Sequence, residues 1–221
     1  MQVIDATVTL ARERLNTAFL FDAMDDLGLK AQAMIRPVRP LDPGSVLCGR
    51  ARTGNFKDVY HADEGSDPYD LLLRLVDGLE VGQVPVLACG KSGRIHPWGG
   101  TQAVAAAARG AAGCVTDGHV RDVGQLRAAG LPTFSAGYGA TRLRGRGRLV
   151  AIDVPVICGG VWVSPGDLIF GDADGVVVVP QGMEETVMQA SLQRADIEDD
   201  MLRGLQAGVS LIELYRRYRV L

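Results

Sequence analysis

Between residues 67 and 136 the chain alternates helical patterns with short apolar runs, and this alternation restricts the fold more than any other feature of the sequence. Asp67-Pro68 opens a helix, with Leu71, Leu72, Leu75 and Val76 as its apolar face. Val84 to Ala88 has the length of a buried strand. Thr101 to Arg109 reads as an alanine-rich helix, Gly113 to Thr116 as a second strand, Arg121 to Ala129 as a helix and Leu131 to Ser135 as a third strand. Strands separated by helices in this way pair in parallel through crossovers.

On either side of this block the texture differs. Asn16 and Thr17 offer an N-cap to an amphipathic run ending at Leu27, and Gly28 supplies the stop. Ile35 to Val46 reads as loop and edge, and Gly49 to Thr53 as a short strand. Past Gly137, Leu149 to Val156, Val161 to Val163, Leu168 to Phe170 and Gly175 to Val179 are β-rich and divided by glycine and proline turns, as in antiparallel pairs. Pro165-Gly166 is a predicted turn, and Asp174-Gly175 a predicted type I′ hairpin. Helical runs from Met183 to about Gln206 and from Ser210 to Tyr218 close the chain. The expectation is an α/β fold with a mixed sheet or two stacked sheets flanked by helices.

Composition narrows the function. With 47% hydrophobic and 22% charged residues, the 221-residue chain has material for a packed core. Its net charge of -3 argues against a protein that coats nucleic acid. The arginines at 142, 144, 146 and 148 therefore read as a solvated hairpin ahead of an RNA-binding strip. The longest uncharged runs reach 14 residues, too short for a membrane span. The first ten residues lack the layout of a secretory signal, so the chain reads as soluble and cytoplasmic. Cys48, Cys89, Cys114 and Cys158 are scattered in apolar surroundings without zinc or redox spacing. Gly90-Lys91-Ser92 imitates the tail of a phosphate-binding loop, but the glycine required five positions earlier is Pro85.

The chemistry concentrates in two strand-to-helix corners. In Gly113-Cys-Val-Thr-Asp-Gly-His-Val-Arg-Asp122, a buried strand ends at Thr116, and Asp117, Arg121 and Asp122 follow where α/β sheets bind ligands. A guanidinium grips a carboxylate in bidentate fashion, and an aspartate can hold a hard divalent cation. The ordinary alternative is an N-capping aspartate with an exposed Arg and Asp in the first helical turn; spacing alone weighs the two evenly. In the other corner, Trp98-Gly99-Gly100-Thr101-Gln102 places glycines before a helix start, where free N–H groups can receive an anion. His96 and His119 flank these loops and could bind ligand or move a proton. Asp117 reads as a brace for its loop.

The run WGGTQAVAAAARGAAGCVTDGHVRDVGQL, followed by VPVICGGVWVSPGDLIFGDADGVVVVP, resembles the RraA-like family, which includes 4-hydroxy-4-methyl-2-oxoglutarate/4-carboxy-4-hydroxy-2-oxoadipate aldolases. NTAFLFDAMDDLG and GRART fit the same pattern, so the likeness extends over roughly residues 15 to 205. The resemblance implies an α/β/β/α sandwich of the swivelling β/β/α type. It further implies a single domain, residues 1–221, with N-terminal helices and a C-terminal helical tail. It also implies homotrimers or homohexamers with sites in clefts between subunits. Arg121 would bind the substrate carboxylate and Asp122 would ligate Mg2+ or Mn2+. The substrate would rest on Gly99, Gly100 and the backbone N–H groups of Thr101 and Gln102. Glu198 would stand where a neighbouring subunit's acidic residue orders the metal's water.

The implied substrate is a small 2-oxo acid, with no nucleic acid or membrane as partner. The implied reaction is metal-dependent aldol cleavage or oxaloacetate decarboxylation through a pyruvate enolate. Independently of the family, a Schiff-base aldolase needs a desolvated lysine, and only Lys91 lies near these corners, in a glycine-serine loop. The metal route is the better fit. Two positions depart from the aldolase pattern, with Gly100 and Gln125 standing where acidic residues are usual. Two alternatives follow: a family enzyme with a changed substrate, or a non-catalytic regulator of an RNA-degrading enzyme.

Overall fold

The computed structural model describes residues 6–35, 38–61 and 67–220. The first described elements are the helices α1 (Ala6–Arg14) and α2 (Thr17–Asp26). Asn16 caps α2 as expected, its side chain accepting from the Phe19 amide at 2.8 Å, and Gly28 follows with φ +84°. The edge strand β1 (Arg39–Pro40) precedes β2 (Leu47–Asp58). At 12 residues, β2 is far longer than the predicted Gly49 to Thr53. Its length reflects a change of partners along one strand. Residues 47–50 pair antiparallel with β11 (Leu168–Asp172), 50–55 run parallel to β3 (Gln83–Ala88), and 54–58 pair antiparallel with β8 (Gly147–Ile152) across a bulge between Asn55 and Phe56.

The predicted alternation is present. α3 (Asp70–Asp77) starts later than Asp67-Pro68, because Asp67 caps the preceding turn by accepting from the Tyr69 amide. After β3 come α4 (Gly100–Ala108), β4 (Cys114–Thr116), the short β5 (His119–Val120), α5 (Val123–Ala128) and β6 (Thr133–Ser135). The parallel order is β6-β4-β3-β2, and β1 adds antiparallel to β6. The helix expected at Arg121 begins at Val123 instead. β5 pairs with β7 (Gly137–Tyr138), which keeps His119 and Val120 extended, and Asp122 adopts a left-handed conformation that no helix interior accepts.

β9 (Val156–Cys158) and β10 (Val161–Val163) form an antiparallel ribbon. β11 and β12 (Gly175–Val179) form the expected hairpin, but its two-residue turn is Ala173–Asp174, neither of which has a positive φ. The type I′ expectation is therefore wrong; Asp172 accepts from the Asp174 amide, and Gly175 takes φ +142°. Pro165-Gly166 is the predicted turn, closed by the Asp167 amide on Ser164 and with Gly166 at φ +91°. A 3-10 turn (Gln181–Met183) leads into α6 (Glu184–Gln206) and α7 (Leu211–Tyr218).

Strand alternation explains the layers. Val84, Val86 and Ala88 of β3 face the same core as Ile169, Val176 and Val178 of β11 and β12, so the sheet curls around this core, with the β9–β10 ribbon packed into it. Leu87 points the other way, toward Leu72, Leu75, Ala103, Ala106 and Leu126 of α3, α4 and α5. Leu168, Phe170, Val177 and Val179 face α1, α2 and α6 through Ala11, Leu20, Met24 and Val187. The result is the expected α/β/β/α sandwich. Fully buried side chains of this size contribute roughly 1.5–3 kcal/mol each relative to exposure. No helix among the described residues is long and apolar enough to cross a membrane.

Candidate functional site

The two corners meet at the start of α4. Trp98 bridges Val120, and the Arg121 amide donates to the Trp98 carbonyl at 3.0 Å, so the loop before α4 lies against β5. This brings Gly99 under Arg121 and Asp122. A Cβ at Gly99 would stand 2.9 Å from Asp122 Oδ2, 3.0 Å from Arg121 Cγ and 3.5 Å from Gln102 Oε1. A side chain at 99 would push Arg121 and Asp122 from their positions over the backbone.

Arg121 Nε donates to Asp122 Oδ2 at 3.1 Å, with both side chains 38% exposed. Asp122 sits at φ +57°, ψ +44°, ahead of the first turn of α5. No side chain caps α4, and the first-turn N–H groups of Gly100, Thr101 and Gln102 have no intrahelical acceptor. A guanidinium, a carboxylate and a helix start with free N–H groups therefore surround one glycine pair. Such a helix start favours anions through its amides and its dipole.

Gln125 completes the arrangement. A Cβ at Gly100 would collide with the Cβ and Oε1 of Gln125 and stand 2.9 Å from its Cδ, so this glutamine occupies the space that a side chain at 100 would need. The two sequence departures are thus one packing feature. The sequence alone did not signal it, because the contact joins different helices.

His96 and His119 also come together, edge to face with centroids 5.2 Å apart. The carbonyl of Thr141 lies 3.0 Å from His96 Nδ1, so that nitrogen carries the proton and donates. Burial holds the His96 pKa below its ordinary value against the upward pull of the Thr141 bond, with smaller lowering contributions from His119, Arg121 and Arg146. Asp117 is a brace. It is buried and accepts from the Cys89 amide at 2.6 Å and the Gly159 amide at 3.1 Å. The four cysteines are buried and form no disulfide, and burial raises the pKa of Cys89, Cys114 and Cys158.

Neither Arg121 nor Asp122 lines the 760 Å³ cleft at the ends of β2 and β3, where Lys57, Lys91, Asp117 and Trp162 lie. Gly100, Thr101 and Gln125 instead open onto a 620 Å³ groove between α4 and α5. Glu198 is exposed on α6, whose main contacts are with α1, α2, α7 and the 3-10 turn. Those contacts do not bring it to the glycine pair. Among the described residues no three His, Cys, Asp or Glu side chains cluster to hold a metal, so Asp122 would be a lone protein carboxylate.

The RraA-like family model, described as Aldolase/RraA, matches residues 17–178. The chain belongs to the RraA-like family. A Halalkalibacterium halodurans protein provisionally named 4-hydroxy-4-methyl-2-oxoglutarate aldolase is 41% identical over 108 residues, covering 48% of this chain and 50% of that protein. A Thermus thermophilus protein named 4-hydroxy-4-methyl-2-oxoglutarate aldolase is 34% identical over 113 residues, covering 50% of this chain and 67% of that protein. The chain spans about half the length of the first of these relatives. Among solved structures, a Streptomyces coelicolor protein described as an unusual member of the RNase ES inhibitor RraA family superposes with a TM-score of 0.79 at 26% identity, over 91% of this chain and 98% of that one.

Proposed function

We propose that the protein is a carbon–carbon lyase of small 2-oxo acids, cleaving 4-hydroxy-2-oxo acids or decarboxylating oxaloacetate to pyruvate. The observation that carries this reading is the convergence of Arg121, Asp122 and the uncapped start of α4 on Gly99. Arg121 grips the C1 carboxylate, and the Thr101 and Gln102 amides take the remaining pyruvate oxygens. In aldol cleavage the C4 hydroxyl gives up its proton, the C3–C4 bond breaks, and its electron pair stays on C3 as pyruvate enolate. C3 then takes up a proton. With oxaloacetate the same bond releases CO2 and leaves the same enolate.

The donor set suits a hard ion that keeps most of its water, since Mg2+ sites often use one or two carboxylates plus substrate oxygens. Mg2+ or Mn2+ at Asp122 would stabilise the enolate charge electrostatically. In a homotrimer or homohexamer, Glu198 from a neighbouring subunit would add a second acidic group to order water. The named aldolases among the relatives support this chemistry.

Lactate-dehydrogenase-coupled pyruvate release, with oxaloacetate and 4-hydroxy-2-oxo acids and added Mg2+ or Mn2+, tests the proposal. Activity should vanish with chelator. Arg121→Ala should lower kcat/KM by about 10–100-fold, the loss of a charge-assisted bond. Full activity of Arg121→Ala, or no pyruvate from any substrate, would reject it. The likeness to the Streptomyces coelicolor structure favours a second reading, a regulator of an RNA-degrading enzyme. That reading expects tight, metal-independent binding of an RNase E-type enzyme and no turnover.

A further inference from the structure

We infer that Gln125 sets the substrate class of this site, selecting 4-hydroxy-2-oxo monoacids with a neutral aliphatic group at C4 over dicarboxylates. This narrows the lyase reading and rests on it. The side chains nearest a Cβ at Gly99 or Gly100 are Arg121, Asp122, Gln102 and Gln125, so the groups in direct reach of the glycine pair are one guanidinium, one carboxylate and two carboxamides. Arg121 can satisfy one substrate carboxylate. A second would lie beside the Asp122 carboxylate and groups that carry no charge, with like-charge repulsion against it and no counter-charge to hold it.

The carboxamides instead suit the C4 hydroxyl, because each both donates and accepts. Gln125 stands where the site passes into the groove between α4 and α5. Beyond Gly100, Thr101 and Gln125, that groove is lined by Val104, Ala105, Ala108, Ala128 and Ala129. The arginines that close these helices offer no free cation there: Arg109 is paired with Asp77, and Arg127 with Asp42. A substituent on C4 leading away from the pyruvate half enters this apolar groove, and aliphatic surface is what the groove rewards. Cleavage of such a monoacid breaks C3–C4 as described above, yielding pyruvate and an aliphatic aldehyde that keeps the C4 oxygen.

Two measurements on the full chain with Mg2+ test the inference. Pyruvate release should show kcat/KM for 4-hydroxy-2-oxohexanoate exceeding that for 4-hydroxy-4-methyl-2-oxoglutarate by at least about tenfold. Calorimetry with the non-cleavable pair 2-oxohexanoate and 2-oxoglutarate should show the same order of affinity. Gln125→Arg places a cation at an exposed position of α5 and should reverse the affinity order; an unchanged melting temperature verifies its fold. A wild-type preference for the dicarboxylate, or a ratio unmoved by Gln125→Arg, overturns the inference, as does failure of both ligands to bind. If no substrate yields pyruvate while Gln125→Arg still reverses the binding order, the lyase reading fails and the role of Gln125 in selecting ligands stands.

Discussion

Asp122 is held in a backbone conformation that L-residues with a Cβ rarely adopt, at φ +57°. Its carboxylate makes one exposed ion pair, with the adjacent Arg121, and such pairs contribute little to stability. The left-handed conformation costs about 1–2 kcal/mol for most side chains and less for aspartate or asparagine, whereas glycine adopts it freely. Stability and function should therefore separate at this position. Asp122→Ala is expected to lower stability by about 1 kcal/mol, and Asp122→Gly to match or exceed wild type, because relief of strain offsets the greater entropy of its unfolded chain. Both should lose metal-dependent pyruvate release. Denaturant midpoints of the two variants beside coupled assays check this; an Asp122→Gly protein less stable than Asp122→Ala would refute the strain argument. The sequence showed the chemistry of the Arg121-Asp122 pair but not this conformation, which is imposed by β5 pairing with β7 up to Val120.

Elements that follow their own local pattern were legible, and those defined by distant partners were not. α2 is announced by its cap and stop, and β3 by its apolar run. β2 reads as five residues in part because its end, Phe56 to Asp58, is a strand only through β8, about ninety residues further on. Likewise, the loop before β8 is fastened to the loop before α4 by the bond between His96 and Thr141, which no spacing reveals. That fastening predicts a pH dependence. His96 is 7% exposed, and burial lowers its pKa below 6.5. Below that value the unfolded chain binds the proton more readily than the folded one, so stability should fall as pH drops from about 6.5 through the lowered folded value. Above about 6.5 this contribution is complete. His96→Asn retains a donor for the Thr141 carbonyl without titrating, and should flatten that part of the stability profile. An unchanged acid limb in His96→Asn, followed by urea midpoints at stepped pH, would assign the slope to other groups.

Across the whole molecule, the curled sheet leaves one core open on its inner side, and the β9–β10 ribbon packs into it through Val156, Cys158, Val161 and Val163. A two-stranded ribbon is only marginally stable by itself and needs anchoring. Asp117 supplies an anchor, joining the end of β3 at the Cys89 amide to the tip of the ribbon at the Gly159 amide. The two bonds are charge-assisted and buried. Asp117→Ala leaves both amides without this acceptor, at about 1–3 kcal/mol each, a large share of the roughly 5–15 kcal/mol that holds a domain together. Asp117→Asn should do little better, since a carboxamide presents one acceptor oxygen and turns N–H groups toward one of the two donors. In hydrogen exchange, amides of residues 156–163 should open well before those of β3 and β4, whose parallel pairing is independent of the ribbon. Because Asp117 also lines the 760 Å³ cleft, the same variants separate a brace from a reacting group. A brace lowers the denaturant midpoint and ribbon protection together. If both stayed at wild-type values while turnover disappeared, Asp117 would belong to the chemistry and the ribbon would be held by its apolar face alone.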